Sequence, residues 1–328
     1  MEQLPANETA TSYHHPEAFN VTSPAIRLLS RVELDLLLEE TQAEGLRLHA
    51  ILNQSQHPAL LDSFYSTAEA LEYSPLFGET SYAPLLRKSP LFFAIDEGNP
   101  FWLSLQKERV SWGFVAIGCP ETPHGLAHWR SLLNALLPDD TLTHFRYYSG
   151  NILLRTANAA TSLEVQWLAG PYAYLVVPYP PSSETPWALI SNPVLHETSA
   201  RETAEKHTVA KDTWWQVTDA HLAAFEPTLD KIYKRNLVTW LWENYFEETK
   251  KLNDRENIHT AIDDMLQQAK KWGFALREQQ TRCIAALLPF AIVSEPLGEE
   301  GEILRQAAAN PEVALQRLEA LAARRRNA

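Results

Sequence analysis

From Leu46 to Tyr179 short runs of β-branched and aromatic residues alternate with segments whose apolar residues recur at helical spacing. Residues 46–53, 91–96, 112–118, 142–148 and 172–178 read as strands. Residues 59–73, 100–107, 125–137 and 151–157 read as helices, with a further helix ahead of them at 31–43 that counts Val32, Leu36 and Ala43 among its apolar positions. A sheet built from such strands has two faces to cover, and the intervening helices supply the cover. The pattern predicts an α/β sandwich around a mixed sheet.

The texture then changes. Residues 178–186 (PYPPSSETP) hold four prolines, which can continue neither a ladder nor a helix. Residues 197–212 are polar, with Val209 the one larger aliphatic, and read as a mobile loop or frayed helix. Beyond them only helical spacing is found, over 219–250, 259–272 and 277–288, and in a last helix that Asn310 caps and Pro311 begins. The predicted organisation is a flexible lead at 1–24, an α/β lobe at 25–178, a linker or mobile loop at 179–212 and an all-helical lobe at 213–328.

Charge and cysteine content narrow the function classes. The formal net charge is −13, a field that repels phosphate backbones, so nucleic acid is not an expected partner. The one basic run, Arg324-Arg325-Arg326, ends the last helix, where cations favour the helix dipole. Cys119 and Cys283 are too few for a disulfide framework or a cysteine-rich zinc site. The polar N-terminus does not read as a signal peptide, and no apolar run approaches the roughly 20 residues of a membrane span. A cytoplasmic protein that does not insert into membranes is expected.

Catalytic patterns are equally scarce. The sequence has no Gly-rich phosphate loop and no nucleophile elbow. His196-Glu197 begins like a zinc-protease helix, but Ala200 stands where the second His would be needed. His14-His15 lies in the lead. The pairs Asp139-Asp140, Asp263-Asp264 and Glu299-Glu300 read as a turn, a solvated helix face and a cap region, because adjacent helical residues point about 100° apart. No enzyme activity, cofactor or metal is expected.

Two features are candidates for partner binding. Arg146 alternates with Phe145 and Tyr147 in a strand that reads as buried on both faces. It is either a guanidinium paired with an acid that braces strand to helix, or a fork for a partner's carboxylate or carbonyls. In the 219–250 helix the main apolar stripe is Leu222, Phe225, Leu229, Ile232, Tyr233, Leu237 and Trp240. A second stripe, Val238, Leu241, Trp242 and Tyr245, lies at i, i+3, i+4 and i+7, while Lys231, Lys234 and Arg235 keep that side polar earlier in the helix. Either the helix is buried all round in its second half, or the stripe is an aromatic groove for an apolar segment of another protein.

Several segments, taken in order, resemble a bacterial family. They are residues 46–53 (LRLHAILN), Ser74-Pro75-Leu76-Phe77, residues 89–93 (SPLFF), Trp112-Gly113-Phe114, His128-Trp129-Arg130, and the helix, Asp-rich turn and Phe-Arg-Tyr-Tyr of residues 126–148, with a weaker echo at 269–273 (AKKWG). The series resembles the type VI secretion adaptors, domain-of-unknown-function proteins also called Tap or Tec chaperones. The sequence departs from that family at Ser149-Gly150-Asn151, where Asp-Pro-Arg is usual, and at Asn53, where Asp is more usual. The resemblance implies a non-enzymatic adaptor that binds a type VI effector and helps load it onto the spike protein VgrG. An immunity-type inhibitory protein, or a hydrolase with a site scattered in sequence, are the alternatives.

Overall fold

Alternation decides how the N-terminal part folds. In strand after strand, successive residues go to opposite faces of one sheet, and both faces are apolar. The structure is a computed structural model that describes residues 20–54, 58–67, 72–96, 98–108, 112–118, 120–179, 186–194, 213–290 and 298–327. Cys119, His14-His15, His196-Glu197, most of the expected lead and the expected loop at 197–212 lie outside the described residues. The chain divides into two compact units, residues 1–225 and 226–328.

In the first unit the described strands are β1 (Ile26–Leu29), β2 (Arg47–Leu52), β3 (Tyr73–Pro75), β4 (Leu91–Ile95), β5 (Gly113–Gly118), β6 (Asn134–Leu136), β7 (Leu142–His144), β8 (Tyr172–Pro178), β9 (Trp187–Ser191) and β10 (Trp215–Gln216). Seven of them form a sheet in the order β1-β9-β8-β5-β2-β4-β3, and every pairing in it is antiparallel. Mixed pairing is confined to a small second sheet, β10-β6-β7, where β10 runs parallel to β6. The helices are α1 (Arg31–Ala43), α2 (Pro58–Thr67), α3 (Pro100–Leu105), α4 (Thr122–Ser131), α5 (Gly150–Ala159) and α6 (Ser162–Ala169).

Each sheet face has its own core. On one face Leu48, Ala50 and Leu52 of β2 join Phe93 of β4, Leu34 and Leu38 of α1, Phe64 of α2 and Trp102 of α3. On the other, Ile51, Phe92 and Phe114 join Trp129 of α4, Leu153 of α5, Leu168 of α6 and Trp215 of β10. Helix α1 starts where its capping box predicts: the Ser30 hydroxyl accepts from the Glu33 amide while the Glu33 carboxylate accepts from the Ser30 amide. Its buried side is Leu34, Leu37, Leu38 and Thr41, whereas Val32 and Leu36 are exposed.

Several sequence expectations change. The helix expected at 125–137 is α4, which ends at Ser131. Asn134–Leu136 then forms a strand whose hairpin partner is Leu142–His144. The Leu133 carbonyl accepts from the Phe145 amide at 2.9 Å, the Asn134 side chain accepts from the Tyr82 hydroxyl at 2.6 Å, and Asp139-Asp140 makes the turn as expected, with Asp140 at φ +61°. Of the helix expected at 59–73, Pro58–Thr67 is helical among the described residues, whereas Tyr73 belongs to β3. Within the expected linker, Trp187–Ser191 is an interior strand between β1 and β8. Asn192 fixes its end by donating to the carbonyls of Tyr172 at 3.0 Å and Gly170 at 3.2 Å.

Trp129 is the tightest knot of this unit. It is fully buried, and its ring stacks with Tyr147 at 5.3 Å and with Tyr172 at 5.5 Å, each at 24°. The Tyr147 hydroxyl donates to the Trp129 carbonyl at 2.6 Å. Gly125, one turn earlier on α4, makes room: a Cβ there would lie 2.1 Å from the Tyr172 hydroxyl. Gly113 is required where β5 begins, because its φ is +137° and a Cβ would sit 1.9 Å from the Ile51 carbonyl oxygen.

The helical unit takes the second part of α7 (Asp219–Asn244), then α8 (Phe246–Arg255), α9 (Ile258–Lys271), α10 (Arg277–Leu287), α11 (Glu299–Gln306) and α12 (Pro311–Arg326). Its core includes Leu241, Leu252, Ile262, Phe274, Cys283, Ile284, Leu304 and Leu318. The expected 219–250 helix is broken at Tyr245, whose φ of −140° leaves the helical region. Thr249 makes up for the break by donating its hydroxyl to the Leu241 carbonyl at 3.1 Å. Asn310 caps α12 as expected, its side chain accepting from the Val313 amide.

His49 sits in β2 with no solvent exposure, stacked on Phe92 at 5.0 Å, and neither ring nitrogen has a partner among the described residues. Burial, with Arg47 nearby, pulls its pKa down to about 4. The folded state therefore binds its proton less readily than the unfolded chain, whose value is near 6.5. Stability is full above pH ~6.5 and is lost as pH falls toward 4, by up to about 3 kcal/mol from this group alone. His49→Phe should flatten the fall of Tm over that window, as read by melting at stepped pH. Trp129→Ala should cost about 4 kcal/mol in denaturant unfolding.

Candidate functional site

The hairpin β6–β7 delivers the Phe-Arg-Tyr-Tyr segment to the surface of the first unit. The β7 strand ends at His144, so Phe145, Arg146, Tyr147 and Tyr148 lie beyond the ladder. Phe145, Tyr147 and Tyr148 turn inward and are buried, while Arg146 is exposed. The expectation that Arg146 lies in a strand buried on both faces is thus corrected. Only a short piece of the run is strand, because Phe145 goes to stack on Trp215 at 5.8 Å and Tyr147 goes to Trp129. That leaves the residue between them pointing to solvent.

Around Arg146 the side chains are aromatic and polar at once. His144 approaches the Tyr148 hydroxyl at 3.0 Å, and its ring meets Tyr82 at 4.3 Å and Phe77 at 5.7 Å. Burial lowers the His144 pKa, and the Arg146 charge adds to this. Burial raises the Tyr148 pKa, with the Arg146 guanidinium opposing the rise. At neutral pH the cluster holds a neutral imidazole, a protonated phenol and one cation. Such a set can donate hydrogen bonds to a carboxylate or a carbonyl of another chain.

The neighbouring segments of the sequence series serve the same scaffold. Arg130 of α4 pairs with Glu79 at 2.7 Å and donates to the Pro75 carbonyl at 3.3 Å, which pins the turn after β3. His128 hydrogen-bonds the Leu168 carbonyl at 3.1 Å. Ser89 donates to the Pro90 carbonyl and accepts from the Phe77 amide, both at 2.9 Å.

The second stripe lies in the helical unit, away in sequence from Arg146. Val238 and Leu241 are buried core residues there. Trp242 and Tyr245 are half-buried against the same core, Trp242 with its ring 5.7 Å from Phe246 and Tyr245 with its ring 5.3 Å from Trp240 and under the Arg326 guanidinium at 4.7 Å. The stripe is not an open groove: its first two members face inward, since α9 packs on that side of α7. The large apolar residues that remain exposed on α7 are Leu222, Leu229 and Ile232 of the main stripe. Periodicity identified both stripes but could not tell which one the other helices would cover.

Among the described residues no group of three or more His, Cys, Asp and Glu is placed to hold a metal ion. Cys283 is a buried thiol whose pKa is pushed up by burial. No described helix is long and apolar enough to cross a membrane.

Residues 48–166 match a domain of unknown function, DUF4123. The matched stretch runs from β2 into α6 and contains Trp129, Arg130, Arg146 and Tyr147. No curated protein and no solved structure matches the chain. The likeness to DUF4123 thus covers the central part of the first unit, and the helical unit lies outside it.

Leu241 and Trp242 separate core from surface. Leu241→Ala should cost about 2–5 kcal/mol, as Leu truncations in packed cores do. Trp242→Asp should melt earlier than the parent, because the carboxylate replaces a ring packed on the core. Circular dichroism melting of both variants checks the order.

Proposed function

We propose that the protein is a non-enzymatic adaptor, or chaperone, that works in the cytoplasm. It binds a type VI secretion effector through the effector's N-terminal region and helps place it on the VgrG spike. The observation that carries this reading is the DUF4123 match over residues 48–166, a domain family known from type VI effector adaptors. The ordered series of segments that resembles those adaptors falls almost wholly within the same stretch.

The geometry supports the reading in two ways. The shared segments are spent on the fold: Trp129, Tyr147, Arg130 and Gly113 hold α4, the hairpin and the sheet together. Arg146 stands out from them, an exposed guanidinium on a rigid aromatic base, which suits recognition of another chain. The displaced protonation of His49 and Tyr172 comes from burial in the core, as in packing groups. An effector interface of standard size would bury on the order of 1,600 Å² and shield apolar surface until loading.

Co-expression with the effector encoded beside this protein, followed by size-exclusion chromatography, tests the reading. The two should co-elute, and Arg146→Glu should weaken binding about tenfold or more while Tm stays at the parent value. Separate elution at concentrations above micromolar sinks the adaptor reading. Inhibition of the toxin by this protein alone would favour the immunity-type alternative.

A further inference from the structure

The loop between β3 and β4 carries a feature that the core does not use. Ala83–Lys88 is a short 3-10 helix in which all six residues are exposed. The packing of the loop is done before it: Leu76 and Phe77 are buried, and the Tyr82 ring meets His144 at 4.3 Å. Backbone hydrogen bonds from the amides of Thr80, Ala83, Leu85 and Ser89 then hold the chain in successive turns. Leu85 and Leu86 are thereby ordered at 51% and 46% exposure, with Arg87 and Lys88 directly after them. Single exposed leucines are ordinary, but two together on an ordered turn return nothing to the core for the freedom they lose.

The turn is anchored on the hairpin that carries Arg146. Tyr82, directly before the 3-10 helix, donates to the Asn134 side chain of β6 at 2.6 Å. Leu142 and His144 lie two apart on β7 and so on one side of it. His144 meets Tyr82 on that side, and Leu142, at 60% exposure, extends the apolar surface there. The cations are not offset locally. Among the described residues neither Arg87 nor Lys88 forms an ion pair, and Arg146 hydrogen-bonds the Tyr148 phenol. The acids of the two loops are placed elsewhere. Glu79 pairs with Arg130, Asp139 accepts from the Thr141 amide at 3.0 Å, and Asp140 lies at the hairpin turn, the end away from Arg146. Three leucines beside three cations make a positive, amphipathic face on a chain whose formal net charge is −13.

We infer that the 83–88 turn and the Arg146 hairpin form one docking surface for an acidic amphipathic segment of a protein partner, its apolar side chains on the leucines and its carboxylates on the cations. Charge complementarity selects this occupant: the field of the whole chain repels anionic membranes and nucleic acid, whereas a short acidic segment meets the local cations. A turn already ordered before binding loses little freedom when it is covered. That the partner is the effector rests on the adaptor reading; the surface and its chemistry do not. The probe is a fluorescein-labelled amphipathic peptide with Leu on one face and Glu flanking it, read by fluorescence polarisation. It should bind, weaken as salt rises, and lose about tenfold or more in affinity to Leu85→Ser/Leu86→Ser and to Arg87→Glu/Lys88→Glu. Peptides with Ala for Leu, or Gln for Glu, should bind about tenfold or more weakly, and Leu163→Ser, an exposed leucine of α6, should leave binding unchanged.

Should either double variant melt early, Lys88→Glu alone is read, and should weaken the peptide severalfold. No binding by the parent, equal binding by the turn variants, or an equal loss with Leu163→Ser would each overturn the proposal. So would flotation of the protein with phosphatidylserine-containing vesicles that the Leu85→Ser/Leu86→Ser change abolishes, which would give the face to a membrane. A parent that elutes as a dimer and becomes a monomer with the same change would give it to a second copy instead. Failure of the effector to co-elute, with the peptide still bound, would count against the adaptor reading and leave the surface standing. Undiminished co-elution of the effector with variants that have lost the peptide would leave the adaptor reading standing and remove the effector from this surface.

Discussion

The stacking of Trp129 with both Tyr147 and Tyr172 is the contact on which the first unit depends. Its three rings come from α4, from the turn after the β6–β7 hairpin, and from the first residue of β8. One ring therefore ties a helix, the small sheet and the large sheet at a single point. Stacked aromatic pairs contribute about 0.5–1.5 kcal/mol beyond the area they bury, and here there are two on one indole. The hydrogen bond from Tyr147 to the Trp129 carbonyl fixes the ring against the last turn of α4. Arg146 is held outward because Phe145 and Tyr147, on either side of it, are both committed to this core.

The middle of the large sheet was legible because its strands there are interior and apolar on both faces. β2, β4, β5 and β8 all fall where β-branched and aromatic runs placed them. The elements that escaped were short or ambiguous. Asn134–Leu136 continues the apolar spacing of α4, so periodicity extended the helix through it, and only the hairpin partner across the Asp139-Asp140 turn makes it a strand. Trp187–Ser191 hides between prolines and a polar stretch, and its strand character depends on β1 and β8 lying to either side. The exposure of Arg146 followed from where its two neighbours stack, which no local pattern records.

The helical unit was legible in another way. Caps announced its ends: Asn310 before Pro311, and Gly273 after Lys271, at φ +97°. The break at Tyr245 carried no Pro or Gly and could not be read. It is set by tertiary partners: Arg326 lies over the Tyr245 ring and pairs with Glu248 at 3.1 Å while donating to the Ala285 carbonyl at 2.9 Å. The C-terminal basic run thus does more than complement its own helix dipole, because it ties the end of α12 to α8 and α10.

The placement of β1 has a consequence for the order of assembly during synthesis. Ile26 pairs with Ile190, and Leu29 with Trp187, so β1 leaves the ribosome long before β9, its ladder partner among the described residues, exists. β10 waits likewise to complete the small sheet, with Trp215 opposite Ala135. Contacts of such sequence separation are slow to form, and until β9 arrives β8 has an open edge as well. Native pairing of the first unit can finish only when translation has passed Gln216. A nascent chain stalled earlier would display unpaired, apolar strand edges, which makes the middle of this message the interval in which a ribosome-bound holdase has most to protect.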